Sequence, residues 1–384
     1  MTRTSPFPYA VAGVHAQIGE VMTVEEWADL ARIPHRHLKG SHVSGKDIKR
    51  ILGVHGKSWD AEQQRFARME TIVEVARKAL ASAHLEPDAV EHIVISTCSP
   101  HQIMLDQDGF TLAREIGVPD SVAPLQLGAG CAGLGRAAAL LGRMNIENAL
   151  IICYNLGSPW AIDADGRPLT TYVENNHHPF ANTLWCTGAL FSDACTAMVF
   201  ERRRDSPGIC LYSRDSHSFG EEPGFLDPLV HYPGGGIDHP PGRPGSAELS
   251  AFGLNGKALA SYYAGGMMLN HQAFNGTLPD YANVVRRIYT HQAGPALVED
   301  FARLADLPPG KAPTNVRQLG NLVSAATPTL FYADVLNKEI TNGDLACFSV
   351  VGAGPERGGF IAPISIPGEV TASHPPVPRP LDAR

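Results

Sequence analysis

Four short segments of this sequence carry residue types that could do chemistry. The first is Leu127-Gly128-Ala129-Gly130-Cys131-Ala132-Gly133-Leu134-Gly135, a turn of small residues running into an Ala-rich helix. A cysteine there sits at a helix N-terminus, where the macrodipole and the free N–H groups of the first turn favour thiolate over thiol, and the glycines let a substrate approach the backbone. Those are the requirements of a nucleophile, although a small buried cysteine in a tight turn fits this motif equally. The second is Ile288-Tyr289-Thr290-His291-Gln292-Ala293-Gly294, a β-like run ending in a histidine at the edge where α/β proteins build their sites. The same tripeptide at His271-Gln272-Ala273 lies in a helical stretch with Met267, Met268 and Leu269 and reads as structural. The third, residues 318–328, is another small-residue turn feeding a helix, with Asn321 where a turn former or N-cap commonly stands. The fourth, Val351-Gly352-Ala353-Gly354-Pro355, lets backbone amides come close to a reacting oxygen.

The elements that must position these groups are legible as apolar runs. Residues 93–98, 149–153, 197–200, 208–211 and 345–351 read as buried strands, and residues 69–83, 133–144 and 325–336 as helices, with Pro328 near the first turn of the last. Strands alternating with helices mean an α/β fold with a largely parallel sheet. The series runs twice, which predicts an N-terminal half over 1–205 with Cys131, and a C-terminal half over 206–366 with His291 and Asn321. A Gly- and Pro-rich insertion is expected around 219–255, and residues 367–384 form a Pro-rich tail with too little apolar surface to pack, extended or mobile.

Composition narrows the function classes. The chain has 384 residues, 44% apolar and 18% charged, with a net charge of −8, which describes a folded, mildly acidic protein and argues against nucleic acid as a partner. No apolar stretch approaches the roughly 20 residues of a membrane span and the N-terminus lacks a signal-peptide core, so a cytoplasmic location is expected. Seven scattered cysteines without a CxxC pair suggest reduced thiols, and the histidine spacing suggests no metal.

Taken together, Cys131, His291 and Asn321 form a set. The chain resembles the thiolase-fold condensing enzymes, and most closely the β-ketoacyl-ACP synthase III group, in which a cysteine in a C-A-G turn opens a helix, a histidine sits in H-Q-A, and an asparagine about thirty residues later sits in G-N-x-x-S. Residues 191–197 look like the family's F-G-D-G-A-G-A segment and residues 351–359 like its closing glycine loop, and the likeness runs from about residue 10 to 366. The resemblance implies two similar βαβαβ-type halves forming a five-layered α-β-α-β-α core, a homodimer, and no tightly bound cofactor. It implies acyl-CoA or acyl carrier protein thioesters as substrates. Cys131 would take the acyl group, its own N–H and that of Ala353 would hold the oxyanion, and His291 and Asn321 would stabilise the enolate of a decarboxylating malonyl-type extender.

The sequence also departs from that pattern. The family's T-G-I-x-x-R segment corresponds to Leu52-Gly53-Val54-His55-Gly56-Lys57, so the arginine that helps bind CoA is missing and Lys57 is the substitute, with Gly320, Gly352 and Gly354 as the other substrate-binding candidates. Residues 192–197 depart from G-D-G-A-G-A and Pro355-Glu356-Arg357 stands where an aromatic and a Thr/Trp-like pair are usual, which implies a reshaped pocket, while the insertion with residues 233–236 and residues 160–185 with Asn175, Asn176, His177 and His178 are expected to alter the tunnel or the dimer edge. Such changes suit a relative from specialised metabolism. Two other readings stay open: acyl transfer without decarboxylation to a small-molecule hydroxyl, amine or carbon acceptor, and a silent pairing subunit. Arg202, Arg203, Arg204, Arg286 and Arg287 offer local positive charge for an acidic carrier.

Overall fold

The apolar runs become the inner strands of two sheets in the computed structural model, which describes residues 3–35, 38, 40–60, 62, 64–102, 105–161, 184–214, 230–231 and 253–383. In chain order the sheet strands are β1 (Thr4–Pro6), β2 (Tyr9–Ile18), β3 (His92–Thr97), β4 (Leu125–Gly128), β5 (Asn148–Asn155), β6 (Ala194–Arg202), β7 (Ile209–Arg214), β8 (Arg287–Thr290), β9 (Leu345–Gly352) and β10 (Glu356–Pro363). The first sheet runs β2-β6-β5-β3-β4 and the second β1-β7-β10-β9-β8, so the extreme N-terminal strand crosses to the second sheet. Strands β5 and β6 are buried on both faces almost throughout, which is why they read as continuous apolar runs rather than alternating ones.

The expectation of a largely parallel sheet is corrected. Only β3 with β4, β3 with β5, and β8 with β9 are parallel, while the other five neighbouring pairs are antiparallel. The physical reason is visible at β9 and β10, joined by residues 353–355 alone: so short a connection can only fold back, because a parallel partner needs a crossover of a dozen residues or more.

Four helices complete the layers. Helix α1 (Glu70–Ser82) covers the outer face of the first sheet against β2 and β6, α2 (Gly133–Leu141) and α4 (Ala326–Leu336) lie between the sheets, and α3 (Gly256–Thr277) covers the second sheet at β9 and β10. The order is α-β-α-β-α. Sequence character matches position: α1 buries one stripe, whereas the first nine residues of α4, Ala326 to Asp334, are all buried, as a helix between two sheets must be. Phe7, Phe200, Phe348 and Phe360 pack together in this inter-sheet core, with the last two rings stacked at 4.5 Å. Each such buried side chain contributes roughly 1.5–3 kcal/mol.

The tail is also corrected, since residues 367–384 do pack. Val377 is 7% exposed in the main core, the Thr371 carbonyl accepts from the Tyr332 hydroxyl at 2.8 Å, and Leu381–Asp382 pairs with Pro313–Thr314. A few apolar residues suffice because the groove beside α4 is already built. Residues 162–183 and most of the 219–255 insertion lie outside the described residues.

Candidate active site

Cys131 stands in the turn between β4 and α2, after the parallel pairing of β3 with β4 has been extended by the Ala129 N–H donating to the Thr97 carbonyl. It precedes Ala132, the N-cap of α2, which offers no side-chain cap, so the first-turn N–H groups are left to the turn itself. The residue is half-buried. Burial pushes its thiol up, and the neighbouring Cys98 and the Glu356 carboxylate push the same way, opposite to the direction expected of a helix N-terminus. Other residues close over this turn. A Cβ on Gly130 would lie 3.2 Å from Val323 Cγ1 and 3.8 Å from Cys98 Sγ.

His291 directly follows β8, and its N–H extends the parallel ladder to the Ser349 carbonyl at 3.0 Å. It is 2% exposed, Nδ1 is buried without a hydrogen-bond partner, and burial pushes the imidazole down to about 3, so the ring is neutral across physiological pH. An orphaned lone pair costs less than an orphaned N–H, which assigns the proton to Nε2. Gln292 explains the rest of the H-Q-A motif: its Oε1 accepts from Thr314 Oγ1 at 2.8 Å and the Asn315 N–H at 3.2 Å, tying the strand end to the segment that leads to Asn321. His271 is in α3 and bonds the Tyr281 hydroxyl, a structural role.

Asn321 is held by backbone on both sides. Its N–H donates to the Leu190 carbonyl at 2.8 Å and its carbonyl accepts from the Ser192 N–H at 3.0 Å, a parallel bridge that ties Asn321 to Phe191 in the segment leading into β6. Its Oδ1 accepts the Val323 N–H at 2.8 Å, which leaves Nδ2 as the donor of this amide. Val323 has a φ of 52°, a conformation that costs a β-branched residue and marks a site held by its surroundings. Gly320 is required by geometry, with a φ of 72° and no room for a Cβ, which would press on Ser192 Oγ and lie 2.8 Å from the Leu190 carbonyl oxygen.

The glycine loop closes the site from the second sheet. A Cβ on Gly352 would lie 2.8 Å from the Ala132 nitrogen, so this glycine lets the loop rest on the residue after Cys131, and Ala353 and Gly354 form the tip that follows. Two of the predicted substrate-binding glycines, Gly320 and Gly352, thus face protein backbone, while Gly354 has open space around it apart from Glu356.

Lys57 is a correction. It is fully buried, and Nζ donates to the carbonyls of Gly188 at 2.6 Å, Ala189 at 3.0 Å and Phe191 at 2.7 Å while sitting 4.7 Å over the rings of Trp27 and Trp59. Burial pushes the ammonium down to about 7, partly offset by Asp193. A cation capping the C-terminal carbonyls of helix Leu184–Leu190 is well placed by the helix dipole and cannot reach a substrate phosphate. Arg287 is likewise withdrawn from the basic patch, being 9% exposed and paired with Glu339 and Asp382 at 3.0 Å.

Sequence reasoning missed several residues that the fold brings here. Cys98, at the end of β3, has its Sγ 3.5 Å from Asn155 Oδ1, and Asn155 Nδ2 donates to the Ser192 carbonyl at 2.8 Å. Tyr263 of α3 donates its hydroxyl to the His291 carbonyl at 2.7 Å. Cys98 was signalled by its strand-end position, whereas nothing in the helical run around Tyr263 pointed to it. Among the described residues no group of three or more His, Cys, Asp or Glu side chains could hold a metal ion, and no helix is long and apolar enough to cross a membrane.

Residues 282–363 match the family model described as 3-oxoacyl-[acyl-carrier-protein (ACP)] synthase III C terminal. A β-ketoacyl-[acyl-carrier-protein] synthase III from Rubrobacter xylanophilus is 25% identical over 316 residues, covering 79% of this chain and 88% of that protein. Among solved structures, a 3-oxoacyl-(acyl-carrier protein) synthase from Burkholderia xenovorans matches with a TM-score of 0.74 at 16% identity, over 97% of this chain and 98% of the other. A 3-oxoacyl-(acyl carrier protein) synthase III from Pseudomonas aeruginosa matches with a TM-score of 0.70 at 18% identity, over 95% and 99%.

Proposed function

We propose that this chain, a ketosynthase III-like protein of the thiolase fold, is an acyltransferase that loads an acyl group on Cys131 and joins it to a malonyl-type extender by decarboxylative Claisen condensation. The observation that supports the reading is that both candidate donors are neutral: His291 is kept uncharged by burial, and the Asn321 amide spends its Oδ1 on the Val323 N–H and so keeps Nδ2 as its donor. A pair of neutral donors suits an oxyanion that must form and then release its charge.

In the first step the Cys131 sulfur attacks the donor thioester, its proton leaves with the departing thiol, and the tetrahedral oxyanion is held by the N–H groups of Cys131 and Ala353. Burial raises the Cys131 pKa, which favours attack in which the thiol proton is handed on to the departing thiolate. In the second step the bond to the extender carboxylate breaks, CO₂ departs, and the electron pair passes to the thioester oxygen between His291 Nε2–H and Asn321 Nδ2. The enolate carbon attacks the acyl carbonyl, and collapse expels the Cys131 thiolate, which takes a proton. The donors are acyl-CoA or acyl carrier protein, and the working unit is a homodimer. Strand β4 at the edge of the first sheet supports that assembly, since a second copy could continue the sheet there.

Intact mass after incubation with acyl-CoA and acyl-carrier thioesters, combined with CO₂ release from a labelled malonyl thioester, tests the proposal. An acyl-sized gain lost in Cys131→Ala is expected, while His291→Ala and Asn321→Ala keep the gain and lose CO₂ release by about 10²- to 10³-fold each. Acyl loading with no malonyl thioester consumed would replace condensation by simple acyl transfer, and no loading from any donor would leave a silent subunit.

A further inference from the structure

The glycine loop and the nucleophile's helix are joined by an ion pair that the proposed reaction has not used. Glu356 opens β10 and is 3% exposed; its Oε2 accepts from Arg136 Nε at 2.8 Å and its Oε1 from Arg136 Nη2 at 2.5 Å, a bidentate fork, and the Tyr212 hydroxyl donates to Oε2 at 2.6 Å. Arg136 lies one turn into α2, and its N–H donates to the Ala132 carbonyl at 3.0 Å. An arginine near the N-terminal end of a helix opposes the macrodipole, so local preference does not explain it, and a departure of that kind calls for a tertiary reason.

The reason lies in what the pair connects. Glu356 is the register partner of Gly352 across the hairpin, so it sits at the base of the tip that carries Ala353. On the other side, Ala132 follows Cys131, and the backbone of Gly352 rests on it. Contact between Gly352 and Ala132 sets how closely the loop can approach but has no direction. The bidentate carboxylate–guanidinium bond has both length and plane. Successive residues of a strand leave on opposite faces, and Arg357 accordingly turns to α3, where its Nη1 donates to Asn270 Oδ1 at 2.9 Å. The loop base is thereby tied to the layer on each side.

We propose that Glu356 and Arg136 are positioning residues that set the oxyanion hole, fixing the Ala353 N–H against the Cys131 N–H and balancing each other's charge beside the nucleophile. The proposal rests on the acyl-enzyme reading above and specifies how this chain, with Glu-Arg after the glycine loop, builds that site.

Two readouts on the full-length protein test it. Alkylation of Cys131 by iodoacetamide, followed against pH by mass, reports the charge balance. Glu356→Gln leaves the Arg136 cation and moves the profile to lower pH, whereas Arg136→Met leaves the carboxylate and moves it to higher pH. Single-turnover acylation reports the geometry. Glu356→Asp keeps the charge and the parental alkylation profile but draws the loop by one methylene, and its acylation rate falls by about 10²-fold with the donor KM unchanged. Melting curves check that each variant is folded. Parental acylation in both Glu356 variants, or alkylation profiles that shift in the same direction for Glu356→Gln and Arg136→Met, overturns the proposal. Failure of the parent itself to acquire an acyl group overturns the functional reading instead, so the two failures are told apart.

Discussion

At the scale of single residues, the site is defined by what burial does to ordinary groups. Burial pushes the Cys131 thiol up and keeps His291 neutral, and neither effect is readable from a motif. The condensation rate should therefore show no limb from His291 between pH 5 and 8, which a pH profile of CO₂ release checks. Gly320→Ala should cost about 2–4 kcal/mol, because a β-carbon at a φ of 72° presses on Ser192 and Leu190, and it should slow condensation more than acylation by displacing Asn321. Denaturant titration and the two partial reactions measure this. The three residue types were legible from the turn, the tripeptide and the spacing. The direction of the Asn321 amide was not, since a bond to Val323 in a left-handed conformation is made by tertiary constraint against local preference.

At the scale of elements, strand and helix ends decide what reaches the site. His15 on β2 is 1% exposed with its ring against Tyr332, and burial pushes it down to about 4. The unfolded chain binds a proton there below about pH 6.5 while the folded one does so only near 4, so this group's contribution is full above 6.5 and is lost as pH falls toward 4. His15→Phe should gain on the parent by about 1.4 kcal/mol per pH unit in that window, measured by urea unfolding at several pH values. Lys57 belongs to this scale as well. Lys57→Met should lower Tm, because three carbonyls around helix Leu184–Leu190 lose their donor, and should leave the KM for acyl-CoA within about two-fold. An unchanged Tm with a raised KM would return Lys57 to the substrate.

For the whole molecule, two sheets enclosing two helices place the ends of β4, β8 and β9 around one space although their loops lie far apart in sequence. The C-terminal segment is part of that assembly rather than an appendage. Removing residues 367–384 uncovers the groove holding Val377 and breaks the Tyr332–Thr371 bond and the short Leu381–Asp382 pairing, so Tm should fall by an amount equivalent to about 3 kcal/mol or more. A truncated chain that melts with the parent would show that this packing is idle.

The sequence by itself determined the element types, the α/β alternation and the identity of the candidate nucleophile, histidine and asparagine. Those features are written in local periodicity, in turn chemistry and in short motifs, all of which act within a few residues. Only the tertiary structure decided that five of the eight neighbouring strand pairs run antiparallel, that Lys57 is a buried brace, that the Pro-rich tail packs, and that Glu356 reaches Arg136. These outcomes depend on desolvation and on contacts between residues up to hundreds of positions apart, and no local pattern encodes either.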